Sequence, residues 1–466
     1  MKNSGFSIYQ LPSLVIGKVT FMKPSFRNPG RRRFLKSSML AGGGLLISFS
    51  WPGSRVFAQG GNVADLPADW SELTGYIKIS PDNLIKILNP NPEFGQNVMT
   101  SLPMIVAEEL DADWKTVIVE MAPHDASKLG PQFTGGSNSV RMYWKPLREA
   151  GAAARQMLRE AAAQNWGVPV IEVTTGESML YHKATGRSAT YGSVASKAAT
   201  LPIPKNVPLK NIKDFNIVRK PTRNVEGAKV VAGTALFGLD YQHTGMLIAM
   251  IEHPPAFGLK VKSFDATAAL TMPGITNVFQ QQLYEDGFEQ GGFDTRTFNE
   301  LLVIVGKTTW EVMQARKKLK VTWEPVGDTK DLMGGRGQKR EVIIPGALES
   351  TEVQLEKMRA LASQPAQQLR KDGDPEAGFR NAAQVIERTY YAPFLAHNCM
   401  EPMNFFAHVT DEKALFAGPL QAPGWAEPTL AKVLKLPAEK IEIQMTRMGG
   451  GFGRRAYAHY LVEAGL

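Results

Sequence analysis

The chain has 466 residues, 43% hydrophobic and 21% charged, which is length and apolar content for two or three globular domains and excludes a disordered or fibrous polymer. The formal net charge is +9, but Lys2, Lys18, Lys23, Arg27, Arg31, Arg32, Arg33, Lys36 and Arg55 supply nine cations before residue 59, where no acidic residue occurs. The other 44 basic residues balance 44 acidic ones, so beyond that segment nothing calls for a nucleic acid or other polyanion partner. Cys399 is the only cysteine, which excludes internal disulfides and an iron–sulfur cluster, since a cluster takes about four cysteines; the seven histidines show no zinc-type spacing.

In chain order, the first segment combines Arg31-Arg32-Arg33-Phe34-Leu35-Lys36, a weakly apolar run from Met39 to Ile47, and a small-residue site at Val56-Phe57-Ala58. The run is short and glycine-rich for a bilayer span, and the whole resembles a twin-arginine export signal over residues 1–58. That implies a periplasmic protein, with a retained leader as the one route to the membrane; such export carries proteins folded beforehand around a cofactor, which points to a redox enzyme.

Tyr76-Ile77-Lys78-Ile79 and Leu84-Ile85-Lys86-Ile87-Leu88 alternate around Pro81-Asp82-Asn83, which predicts a hairpin. After Asn91-Pro92-Glu93-Phe94-Gly95-Gln96, a helix is predicted with Val98, Leu102, Ile105 and Val106 on one face; Glu108, Glu109, Asp111 and Asp113 at its end are expected to form a solvated acidic rim. Phe133-Thr134-Gly135-Gly136-Ser137-Asn138-Ser139 precedes a long helix whose face of Leu147, Ala150, Gly151, Ala154, Leu158 and Ala161 implies close packing on a neighbour. Residues 226–325 change to a strand-and-turn texture with a short helix near Thr308–Leu319, the pattern of a separate α+β domain. Residues 326–378 are polar and Gly/Pro-rich and are expected as a linker, with Glu352–Leu361 helical. Strands are predicted at Val385–Tyr391, Phe405–Val409 and Ile441–Met445, and a helix at Trp425–Leu434.

The chain then reaches Thr446-Arg447-Met448-Gly449-Gly450-Gly451-Phe452-Gly453-Arg454-Arg455-Ala456. Glycines set this close let backbone N–H groups turn toward a ligand, and helical spacing at Tyr457, Tyr460, Leu461 and Ala464 would add the positive end of a helix, so the loop reads as an anion cradle. It lacks the Gly-Lys-Ser/Thr of a P-loop, and Arg454 stands where a dinucleotide fingerprint has its third glycine. A purely structural glycine turn is the alternative; four glycines beside Arg454 and Arg455 favour a bound anion.

The loop, together with Glu93-Phe94-Gly95-Gln96 and Gly135-Gly136-Ser137, resembles the molybdopterin-binding subunits of the xanthine dehydrogenase/aldehyde oxidase family. The leader, the arginine pair, His397-Asn398-Cys399-Met400-Glu401-Pro402 and the early Glu-x-Gly-Gln are similar to the isoquinoline 1-oxidoreductase beta subunit branch. The resemblance implies an α+β fold: an N-terminal molybdopterin-binding portion over 59–225, an a/b hammerhead domain over 226–325, a linker over 326–378, and the start of the main molybdopterin-binding domain over 379–466. It implies molybdopterin cytosine dinucleotide as cofactor and iron–sulfur clusters only on a small two-cluster partner subunit. The implied reaction is hydroxylation of N-heteroaromatics or oxidation of aldehydes, with water as oxygen source.

Carried over by position, the resemblance implies that Gly450, Gly451 and Phe452 form the loop facing the metal's oxygen ligand, with Gly453 and Arg454 also cofactor-binding, that Gly95 and Gln96 bind the pterin and its phosphate, and that Gly135, Gly136 and Ser137 lie against the pterin and pyrophosphate. Gln421 matches a family glutamine, with a packed structural amide as its alternative. No protein side chain is expected to ligate the metal. His397 and Cys399, two residues apart in a predicted strand, share a face without a third orienting group, which argues against a Cys/His nucleophile. Two family features are missing: no Gly-x-Gly-Glu occurs to supply the catalytic glutamate base, and Leu395 stands where many relatives carry an active-site glutamine. The family's main domain continues well beyond the glycine loop, so a truncated copy is expected, with a non-catalytic remnant or scaffold for an iron–sulfur partner as the second reading.

Overall fold

In the computed structural model, which describes residues 71–466 except 131, 286, 289–298, 336–337, 345, 347–349 and 394, the predicted hairpin forms: β2 (Ile77–Ile79) pairs antiparallel with β3 (Ile85–Asn89). The export signal expected over 1–58 lies outside the described residues. β1 (Ser71–Thr74) pairs with β2, and β4 (Val117–Met121) runs parallel to β3, giving a sheet ordered β1-β2-β3-β4. Alternation puts Ile77, Ile79, Ile85 and Ile87 on one buried face.

That face is covered by α1 (Val98–Leu110), which leads through the short α2 (Ala126–Leu129) to the 28-residue α3 (Ser139–Trp166). The small-residue face of α3 does pack tightly. A Cβ on Gly151 would stand 2.5 Å from the Val106 carbonyl oxygen and 2.9 Å from the Glu109 Cβ. A second small sheet, β5 (Val173–Gly176), β6 (Met179–His182) and β7 (Arg187–Thr190), and α4 (Tyr191–Ala198) close this layer.

The acidic residues at the end of α1 do not form a solvated rim. Glu108 and Glu109 are 1% and 0% exposed. Glu108 accepts hydrogen bonds from the backbone N–H groups of Asn216 (3.0 Å), Ile217 (2.6 Å) and Val218 (2.9 Å) and from the Lys210 ammonium (3.1 Å). Glu109 accepts from the Arg148 guanidinium (2.7 Å) and the Lys210 backbone N–H (3.0 Å). The cause is the irregular stretch over 210–218, which lies on α1 with backbone donors that no helix or strand satisfies; buried carboxylates meet that need. Burial works to raise the Glu108 carboxyl, but the N–H groups of Asn216, Ile217 and Val218 and the Lys210 ammonium outweigh it and hold it below the ordinary glutamate range.

After α5 (Gly227–Val231), the predicted strand-and-turn region follows. β8 (Ile248–Glu252), β10 (Ile275–Gln282) and β11 (Glu300–Gly306) form a sheet ordered β10-β11-β8, while β9 (Leu259–Asp265) pairs with β12 (Lys320–Pro325). With α6 (Thr267–Leu270) and α7 (Thr309–Arg316) they enclose a separate core of Ala266, Ala269, Val278, Ile304, Val312 and Ala315. The stretch expected as a linker carries the hairpin β13 (Thr329–Gly335) and β14 (Gln338–Ile344), the predicted helix as α8 (Thr351–Ala362), and α9 (Pro375–Asn381).

The strand predicted at Val385–Tyr391 does not form. The backbone there pairs with no other strand among the described residues, and Ile386 and Tyr390 are 67% and 88% exposed. Alternating β-formers need a ladder partner, and here none is supplied. The final layer has β15 (Phe406–Val409) antiparallel to β16 (Ala414–Gly418), which runs parallel to β17 (Ile441–Met445) through the crossover helix α10 (Pro423–Leu434). Its core gathers Phe416, Leu420, Leu430, Ile443 and Leu461, the last from α11 (His459–Gly465). Among the described residues no helix is long and apolar enough to cross a membrane.

Candidate functional site

Between β3 and α1 the chain turns through Phe94-Gly95-Gln96, held by Glu93 beneath it. The fully buried Glu93 carboxylate accepts from the backbone N–H groups of Gly95 (2.7 Å), Asn97 (3.0 Å) and Met99 (2.9 Å), satisfying the free donors at the start of α1. Gln96 folds back on the same turn: its Oε1 accepts from the Phe94 N–H (2.8 Å) and its Nε2 donates to the Pro92 carbonyl (3.0 Å). Gly95, at φ +108°, stays exposed with open space where a Cβ would lie.

The second segment is tied to the first. The Asn91 amide donates to the Phe133 carbonyl (3.0 Å) and the Ser139 hydroxyl (2.9 Å), and the Thr134 hydroxyl donates to the Pro92 carbonyl (2.9 Å). The Phe133 ring would meet a Cβ on Gly135 at 2.2 Å, so glycine is required there, and the same ring stacks on Trp425 at 4.3 Å. Gly136 and Ser137 take left-handed conformations, φ 58° and 55°, and are exposed at the head of α3. The free N–H groups and positive end of a long helix are therefore presented at this point.

The glycine loop leaves β17 and is tied directly to the first segment. The Met448 N–H donates to the Glu93 carbonyl (2.9 Å), and the Gly449 N–H donates to the Glu401 carboxylate (2.7 Å). Arg455 does not join a cationic rim. It is fully buried, donating to the carbonyls of Gly450 (2.9 Å) and Glu401 (2.6 Å), with the Glu401 carboxylate 3.4 Å away. Its charge is spent on neutralising Glu401 and pinning the loop from behind, so of the arginine pair only Arg454 remains half-exposed at the loop. The helix expected to continue the loop begins later, at His459, after a single tight turn at Arg454–Ala456.

Gln421 links the three segments. Its backbone carbonyl accepts from the Thr134 N–H (3.1 Å) and its own N–H donates to the Arg455 carbonyl (3.0 Å). The side chain is 6% exposed, yet its Oε1 has no hydrogen-bond partner, and it lies 3.1 Å from where a Cβ on Gly451 would stand. Phe94 closes the other side at 3.5 Å. Phe452 is 67% exposed and holds a left-handed φ of 51°, followed by Gly453 at φ 84°. The structure thus brings Gly95, Gln96, Gly135, Gly136, Ser137, Gln421, Gly450, Gly451, Phe452, Gly453 and Arg454 together on segments bonded directly to one another. Of the residues that build the cradle, sequence reasoning assigned no individual role to Asn91, Glu93, Thr134 and Glu401, and it expected Arg455 beside a bound anion rather than turned inward. Glu401 had one signal, a carboxylate inside an otherwise apolar Met-Glu-Pro context.

The set suits a pterin dinucleotide. It offers exposed glycine backbone, a helix head for an anion, and a buried amide carbonyl still lacking a donor. Among the described residues no group of three or more His, Cys, Asp or Glu could hold a metal ion. His397 and Cys399 lie in an irregular stretch with no strand.

Comparison with known proteins matches the molybdopterin cofactor-binding domain twice, over residues 47–239 and 360–466. A Gluconacetobacter polyoxogenes protein named membrane-bound aldehyde dehydrogenase [pyrroloquinoline-quinone] is 28% identical over 94% of this chain and 53% of its own length. The isoquinoline 1-oxidoreductase subunit beta of Brevundimonas diminuta is 27% identical over 84% of this chain and 52% of its own. The chain spans about half the length of these curated relatives. Among solved structures, the aldehyde oxidoreductase of Desulfovibrio gigas is 18% identical with a TM-score of 0.36, covering 59% of this chain and 32% of its own. The domain matches include the stretches that build the cradle, and the chain belongs to the molybdopterin-binding subunits of the xanthine dehydrogenase/aldehyde oxidase family.

Proposed function

We propose that this chain is the cofactor-binding part of an exported oxidoreductase that hydroxylates N-heteroaromatics or oxidises aldehydes, using molybdopterin cytosine dinucleotide. Water supplies the oxygen and two electrons leave to iron–sulfur clusters on a separate small subunit, since the single cysteine of this chain cannot hold a cluster. The relatives' names, an aldehyde dehydrogenase, an isoquinoline oxidoreductase and a nicotinate dehydrogenase, support that substrate range. The bound cofactor supplies the redox centre and the activated oxygen; the chain's own groups orient it. Gly450–Gly453 and Gly95 offer backbone to the pterin, the head of α3 at Gly136–Ser137 suits its phosphates, and Gln421 holds its edge. The observation that carries this reading is the buried, unpartnered Oε1 of Gln421 beside Gly451, where three glycine-bearing segments are hydrogen-bonded to one another.

The carboxylates of the cradle, Glu93 and Glu401, are both committed to backbone N–H groups, so neither is a free base. These 466 residues by themselves are therefore expected to retain cofactor with little or no turnover. The purified chain is to be assayed for pterin and molybdenum and for oxidation of an aldehyde and an N-heterocycle. Near-stoichiometric pterin supports the proposal. A chain that copurifies with a cysteine-rich partner but never holds pterin would instead be a non-catalytic scaffold. Export, with residues 1–58 as leader, is part of the proposal; only a retained leader would place the protein at a membrane.

A further inference from the structure

Cys399 is the chain's only cysteine, and it lies against the centre of the glycine loop. Its Sγ donates to the Gly451 carbonyl at 3.6 Å, and its Cβ is 3.6 Å from where a Cβ on Gly450 would stand. The residue is half-buried. The second observation is Gln421, whose side chain is 94% buried and whose unpartnered Oε1 flanks the same glycine. The two side chains thus flank the same loop residue, Cys399 at the Gly451 carbonyl and Gln421 where a Gly451 Cβ would stand. The neighbouring backbone is fixed: Gly449 is held by Glu401 on one side and Gly450 by Arg455 from behind, so the loop cannot withdraw to make room for a larger group at position 399.

We propose that the Cys399 thiol forms a wall of the cofactor cradle, so that occupancy of the cradle and covalent modification of Cys399 exclude each other. The inference rests on the proposed pterin binding and adds to it a modification site: a thiol reachable by a soft electrophile when the cradle is open and covered when the pterin is in place. Thiol reactivity follows access and the thiolate fraction, and cover by a bound ligand removes access.

The test compares the full chain from cells that make the pterin with the chain from cells that cannot. Pterin content is measured first, and N-ethylmaleimide labelling is then followed by intact mass. The thiolate sulfur adds to the maleimide ring, a proton from water completes the ring carbon, and one adduct marks Cys399 alone. Labelling of the pterin-bearing protein is expected to be slower by about tenfold or more. Equal rates would overturn the inference while leaving pterin binding intact. A chain that holds no pterin from either host overturns the functional proposal and this inference with it. One variant extends the test: Cys399→Trp should lose the pterin with a melting temperature close to the parent's. Retention of pterin by a folded Cys399→Trp would also overturn the inference, and if that variant fails to fold the labelling rates decide.

Discussion

Glu401 and Arg455 show how a single buried ion pair can fix the backbone of a glycine loop. The carboxylate takes the Gly449 N–H, the guanidinium takes the Gly450 carbonyl, and the two side chains meet at 3.4 Å with almost no exposure. Removing one member leaves the other charged and buried, a change that costs about 3–5 kcal/mol. Glu401→Gln is therefore expected to lower stability by about that much in thermal or urea unfolding, and Glu401→Gln/Arg455→Gln by less than the sum of the two single changes. Additive effects would sink the coupling. Gly451 tests the cradle differently. It needs no left-handed φ, and an alanine Cβ would meet only the Gln421 Oε1 at 3.1 Å and Phe94 at 3.5 Å. Gly451→Ala should thus change stability by about 1 kcal/mol or less while cutting pterin affinity by about tenfold, a loss of roughly 1.4 kcal/mol, because the methyl covers the carbonyl the ligand would use. Equal pterin content in the parent and the variant would show that the ligand does not lie over Gly451.

At the scale of elements, α1 and α3 are the rigid pair from which the first two cradle segments project. Gly151 sets their separation. Alanine gains about 1 kcal/mol in helix propensity over glycine, yet here its Cβ would stand 2.5 Å from a fixed backbone oxygen of α1, a contact that real Cβ atoms do not make. Gly151→Ala should be destabilising by a net 1–3 kcal/mol or so, the usual range for overpacking, read as a lower melting temperature with the helices forced apart. The far end of α1 carries the pH dependence. Because Glu108 is held below its ordinary value of 4.5, its stabilising contribution is complete above that pH and is lost as pH falls through its lower folded value. Unfolding free energy should decline below about pH 4.5, and Glu108→Gln should flatten that decline while lowering stability at neutral pH. An unchanged acid slope in Glu108→Gln would assign the titration to other groups.

The same elements show what was legible in the sequence. The hairpin at Pro81–Asn83, both long helices and the close-packed face at Gly151 follow from local periodicity, turn residues and residue size, and all appear. The glycine stretches were legible as a group because a missing Cβ is a property of the residue itself. The burial of Glu108 and the inward turn of Arg455 were not, since they depend on backbone donors or carbonyls 54 to 110 residues away in the chain. Glu93 is a different case, because the N–H groups its carboxylate accepts from lie only two to six residues on. Val385–Tyr391 fails for the complementary reason: strand-forming residues were present, but a strand exists only with its neighbour.

For the whole molecule, charge separates residues 1–58 from everything after them. Residues 1–58 hold nine cations and no acidic side chain, so a chain that loses them passes from a formal net charge of +9 to zero. A folded protein with 44 basic and 44 acidic residues has no reason to bind a polyanion or a cation exchanger at neutral pH, whereas the full chain does. If the segment is an export leader removed on the far side of the membrane, two forms should be separable in expressing bacteria. One is a basic full-length form in the cytoplasm that binds a cation exchanger at low salt, and the other is a near-neutral form in the periplasm that flows through it. Replacing Arg31 and Arg32 by lysine keeps the charge but removes the paired guanidinium groups; it should abolish the near-neutral form while leaving the basic one and its pterin content unchanged. A near-neutral form that persists in the double variant would mean that another route or protease removes the segment. A basic form recovered only with membranes would instead identify the leader as a retained tether.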